Sequence, residues 1–96
     1  MKVRYTDRAK RDLADISDYL RSRSASGANA VISTIEDRII RLSDLPWIGP
    51  ITDEPGTREL SITRYPYKIY YQVEDDYVWI VHIRHTSRRP WRGGDG

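Results

Sequence analysis

The sequence predicts an α+β domain with element order β-α-α-β-β-β, an antiparallel sheet carrying a helical hairpin on one face. Two observations carry most of this. The first half holds two segments whose apolar residues recur every three or four positions, Ala9, Leu13, Ile16, Leu20 and then Ala28, Val31, Ile35, Ile39, Leu42. That spacing draws one stripe along each of two helices. The second half, after a Pro-rich crossing, holds three short segments in which apolar and polar residues alternate, the mark of half-buried strands. Both helical stripes need a cover, and the sheet is the only surface available.

Met1–Tyr5 opens the chain with Val3 and Tyr5 on one side and Lys2 and Arg4 on the other, a short strand. Thr6 can cap the helix that follows, and Asp7 is well placed in its first turn. This helix is predicted to run to Arg23, with Asp12, Asp15, Asp18, Lys10 and Arg11 on a solvated face. A Ser-rich break at Ser22–Gly27 offers Ser24 or Ser26 as the next cap. The second helix is predicted over Ala28–Leu45, Ile32 and Leu45 widening its stripe, and Pro46 ends it. Pro46–Pro55 contains three Pro and one Gly and reads as a loop from helices to sheet, with Trp47 and Ile48 expected to pin it to the core. Strands are predicted at Arg58–Thr63, Tyr67–Glu74 and Tyr77–His85, joined by turns at Arg64-Tyr65-Pro66 and Glu74-Asp75-Asp76. Strict alternation groups His85 with Trp79, Val81 and Ile83, and Arg84 with Ile80 and His82. The last strand is apolar on both sides and is expected at the centre of the sheet. The sheet face bearing Lys68 and Tyr70 is expected to stay open.

The chain has 96 residues, enough for one domain, which is placed at 1–92 with a frayed tail at 93–96. It has no cysteine, which excludes disulfides, Cys-based zinc sites and a thiol nucleophile. No apolar run approaches the ~18 residues of a membrane span, so a cytoplasmic protein with no membrane partner is expected. No cofactor is expected. His82 and His85, three apart on a strand, point to opposite faces, so no metal site is expected either. Residues 1–45 carry nine basic and seven acidic side chains, residues 46–96 seven of each. The formal net charge of +2 is therefore less informative than the clustering at the C-terminus. From His82 to Arg92 there are four arginines, two histidines and no acid. A small core and an unopposed basic, aromatic segment point to a partner that adds apolar contacts and negative charge.

Several short motifs taken together resemble one family. They are Thr6-Asp7-x-Ala9-x-x-Asp12-Leu13-x-x-Ile16, Arg58-Glu59-Leu60 at the opening of the sheet, Arg64-Tyr65-Pro66-Tyr67-x-Ile69-x-Tyr71, and Ile83-Arg84-His85-x-x-Arg88 at its close. In this order, over nearly the whole chain, they are similar to the RelE/ParE superfamily of toxins from type II toxin–antitoxin pairs. The closing His85-x-x-Arg88 places the likeness in the ParE-like, plasmid-stabilisation branch. The resemblance implies a toxin held inactive in a hetero-oligomer with a cognate antitoxin. ParE-like members inhibit DNA gyrase by binding; RelE-like members cut mRNA on the ribosome.

The residues bear on that choice. Phosphodiester cleavage needs a base, an acid and cations around the phosphate. Under the RelE-like reading Arg58, His85 and Arg88 would supply these, and the chain would be a ribonuclease. Against it, only one lysine, Lys68, follows Ala30, whereas RelE-like enzymes carry a dense set of lysines and arginines on the sheet. Under the ParE-like reading no catalytic residue is expected, and Arg58, Lys68, Tyr70, Arg84, Arg88, Arg89 and Trp91 are candidate contacts for target or antitoxin. A third reading is a non-toxic binding module of the same fold. The ParE-like reading is the first choice.

Overall fold

A computed structural model describes residues 1–86, in the order β1 (Lys2–Tyr5), α1 (Asp7–Arg21), α2 (Ala25–Arg41), β2 (Arg58–Ile62), β3 (Tyr67–Glu74) and β4 (Tyr77–His85). The sheet runs β1-β4-β3-β2. The β2-β3-β4 meander is antiparallel, whereas β1 joins β4 in parallel, so the sheet is mixed. The two-helix crossover explains this: it returns the chain to the sheet with room for β4 to lie beside β1 in the same direction. β4 is a central strand, as its two apolar faces predict. The tail placed at 93–96 lies outside the described residues.

Thr6 caps α1, its hydroxyl accepting from the Ala9 amide at 3.1 Å, and Arg21 sits in the last turn. Ser24, whose hydroxyl accepts from the Gly27 amide at 3.1 Å, caps α2. Ser24 is one of the two caps the sequence offers, but the helix begins directly after it, so α2 starts at Ala25 rather than Ala28. It stops at Arg41 rather than Leu45, because amides 42 to 44 bond three residues back and tighten the chain into turns. Ala28, Val31, Ile35, Ile39 and Leu42 are buried as their spacing requires, the last four in one core with Ile62, Ile69, Tyr71, Val78, Ile80 and Ile83 of the sheet. Leu13, Ile16 and Leu20 of α1 pack at the margin of this core. Leu45, beyond the helix end, does not widen the stripe and is exposed.

Two other expectations fail for identifiable reasons. Trp47 and Ile48 do not pin the loop to the core; they are 61% and 58% exposed. The loop is pinned by polar groups instead. In addition, β4 is not regular. Tyr70 pairs with His82 and Tyr71 with Ile80, leaving Val81 as an extra residue. This bulge shifts the side-chain alternation by one. Ile83 and His85 therefore share the core-facing side with Val78 and Ile80, while His82 and Arg84 share the other side with Trp79. Arg84 and His85 remain on opposite faces.

Candidate partner-binding faces

The loop between α2 and β2 is closed by groups that arrive from the sheet. Arg58 opens β2 opposite Tyr71, so both lie on the core side. The Arg58 guanidinium donates to the carbonyls of Gly49 at 2.7 Å and Trp47 at 3.3 Å, and its Cζ lies 5.1 Å from the centre of the Trp47 ring. The buried Tyr71 hydroxyl accepts from the Gly49 amide at 2.8 Å. Burial pushes the Tyr71 phenol pKa up, with the Gly49 amide and the Arg58 charge pulling it back. Glu59 donates its amide to Pro50, Thr52 donates to Thr57, and Gln72 reaches the Thr57 hydroxyl at 3.1 Å. Gly49 is required here: a Cβ would fall 2.5 Å from the Glu59 carbonyl and 2.7 Å from the Tyr71 hydroxyl.

At the other end of the sheet, β4 extends past β1, and α1 covers the edge that β1 leaves bare. Thr6 bonds the Ile80 carbonyl through its amide and the Val81 carbonyl through its hydroxyl. One Asp12 carboxylate oxygen accepts from the Ile83 amide at 3.0 Å and lies 2.7 Å from His82 Nδ1. The His82 ring stacks on Tyr70 with centroids 5.8 Å apart. Tyr70 and His82 are 5% and 8% exposed, so the face expected to be open is closed at these positions.

The residues singled out in the sequence fall into separate places. Arg58 donates to loop carbonyls. Lys68 pairs with Glu59 at 3.4 Å, both part-exposed, and sits opposite Arg84 in the register. Tyr70 is buried on His82. His85 lies edge-on to Tyr67 at 5.2 Å. Arg88, Arg89 and Trp91 lie outside the described residues. Arg58 and His85 share a face but not a site. Their partners on β3, Tyr71 and Tyr67, are four residues apart, and β2 and β4 flank β3. The backbones are thus about 13 Å apart along the strand and about 10 Å across it. Among the described residues no group of three or more His, Asp or Glu is placed to hold a metal, and no helix is long and apolar enough to cross a membrane.

Sequence reasoning missed Asp12, which it assigned to a solvated face, and the role of Tyr71 in fastening the loop through Gly49. Asp12 lies three residues after the buried Ala9, which puts it at the border of the apolar stripe. A histidine in the middle of an apolar strand needs a buried partner, and that requirement could have found it.

The fold, and the motifs along it, place the chain with small toxins. The family described as the ParE toxin of the type II toxin–antitoxin system, parDE, matches residues 3–90, and the chain belongs to that family. Toxin RelE2 of Caulobacter vibrioides is 34% identical over 87 residues, covering 91% of this chain and 97% of that protein. Among solved structures, the chromosomal ParDE toxin–antitoxin system from P. aeruginosa superposes with a TM-score of 0.81 at 22% identity, covering 91% of this chain and 97% of that one. The intact E. coli RelBE toxin–antitoxin complex gives 0.68 at 15% identity, covering 92% and 98%. The two structural likenesses are likenesses of fold.

Proposed function

We propose that this chain is a ParE-like toxin that acts in the cytoplasm by binding and inhibiting DNA gyrase, and that a cognate antitoxin neutralises it in a hetero-oligomer. Membership of the ParE toxin family supports the first half. The observation that carries the choice of binding over catalysis is the position of Arg58. A guanidinium with two carbonyls and an indole as neighbours, about 13 Å along the strand from His85, does not assemble with it around a scissile phosphate. Inhibition by binding needs no such constellation. The candidate contacts under this reading are Lys68 and Arg84 on the sheet, with Arg88, Arg89 and Trp91 beyond it. Arg58 then acts indirectly, by shaping the loop it holds.

The second reading, a ribosome-dependent mRNA endonuclease, is favoured by the 34% identity to a protein named as a RelE toxin. One experiment separates the two. The purified chain is added to gyrase with relaxed plasmid and, separately, to translating ribosomes. Inhibited supercoiling with trapped cleavage complexes and intact mRNA is expected. Cut mRNA with gyrase untouched sinks the gyrase reading, and the absence of both effects points to a non-toxic module of this fold.

A further inference from the structure

The apolar side chains of the α2–β2 loop are turned outward while its backbone is held from within. Trp47, Ile48 and Ile51 are 61%, 58% and 75% exposed. Flexible loops can carry exposed apolar residues without meaning. This one is fixed by the Arg58 bonds to two carbonyls, the Tyr71 bond to Gly49, the Glu59 bond to Pro50 and the bridge between Ile51 and Arg58. A rigid loop presenting Trp and Ile has already met the ordering cost that a binding surface otherwise incurs on association. The charge around it runs against the rest of the chain. Asp44, Asp53 and Glu54 are exposed and form no ion pair among the described residues, while between positions 40 and 57 Arg41 is the sole basic side chain.

We infer that Trp47, Ile48 and Ile51, flanked by Asp53 and Glu54, form a docking surface for an antitoxin segment that carries apolar anchors beside Lys or Arg. This rests on the toxin reading above and adds to it the place and the chemistry of the contact. The charge sign selects the occupant: unpaired carboxylates at the rim of an apolar patch favour a basic neighbour and repel an acidic one. Storage in a complex keeps the indole and isoleucines out of water, where a bare patch promotes unspecific association. The basic segment at the end of the chain would meet a different, acidic part of its partner.

The test uses the full chain and the antitoxin encoded beside it, titrated by calorimetry. Wild-type binding tests the toxin–antitoxin reading itself; the variants test the surface. Trp47→Ser with Ile51→Ser is expected to weaken binding at least tenfold with an unchanged melting temperature. Asp53→Lys with Glu54→Lys, at fully external positions, is expected to weaken it several-fold at low salt and to lose that effect in high salt. Should the apolar double variant unfold, the charge variant decides alone. Wild-type binding that both folded variants retain in full overturns the inference. The same holds if their only defect is lost self-association or lost gyrase inhibition, which would assign the patch to a second copy or to the target.

Discussion

The two ends of the sheet solve the same problem with opposite results. At the β2 end, Arg58 and Tyr71 turn inward and bind loop backbone, and the apolar residues of that loop are left facing water. At the β4 end, Asp12 binds the Ile83 backbone amide and the His82 ring, but there the aromatic neighbour, Tyr70, is buried. In both places a polar side chain binds backbone groups that lie outside the sheet ladder. The β4 cluster closes a surface, whereas the β2 cluster displays one. Buried polar groups in these two clusters act as fasteners for backbone, and the docking surface proposed above consists of the apolar side chains that one of them leaves exposed.

Breaking either fastener should separate their roles. The largest loss is expected for Asp12→Ala, which leaves the Ile83 amide and the His82 ring without their acceptor. It should cost about 3 kcal/mol, read as a lower urea midpoint with unchanged slope, and should leave the 46–57 loop as it is. Asp12→Asn, which keeps one acceptor oxygen, should lose roughly half as much. Gly49→Ala comes next. The new Cβ meets backbone at Glu59, so the loop must shift, at about 2 kcal/mol, with the β4 end unaffected. Equal effects of Asp12→Ala and Gly49→Ala on both ends would mean that the two clusters are one cooperative unit.

Tyr71→Phe removes one buried hydrogen bond and should cost about 1 kcal/mol near neutral pH. Its dependence on pH gives a sharper signature. The folded-state phenol pKa is raised, so its contribution is fully present below the ordinary tyrosine value and is lost as pH rises through the raised one. Unfolding measured between about pH 9 and 11 should show wild type losing stability faster than Tyr71→Phe. Tyr5, raised by burial and by Glu36, should account for part of the alkaline loss that remains. Lys68→Ala breaks a part-exposed ion pair and should change stability by less than ~0.5 kcal/mol.

Most of the fold was legible because its signals are local. The α2 stripe from Ala28 to Leu42, the Thr6 cap and the bounds of β3 and β4 follow from residue spacing and turn chemistry alone. The Val81 bulge was not legible. Val, Ile and His can all occupy a half-buried strand, so nothing in the pattern marks where alternation slips. Trp47 misled for a related reason: bulk predicts burial only when nothing else fastens the loop, and here Arg58 and Tyr71 do so from positions 9 or more residues away. The candidate site was legible as a list of cations and aromatics, but not in its geometry. Arg58 and Tyr70 each look like contact residues in sequence. Which way they face is decided by partners far along the chain.

The distinction between a fastened, outward-facing loop and a loose one comes down to one amide. Gly49 donates to Tyr71 beneath the Arg58 clamp, and its hydrogen exchange is measurable by NMR. Protection comparable to that of the β3 amides is expected in the wild type, falling at least tenfold in Arg58→Ala while β3 stays protected. A Gly49 amide that exchanges as fast as an open loop in the wild type would contradict the clamp, and with it the reading of Arg58 as a residue that shapes a binding surface.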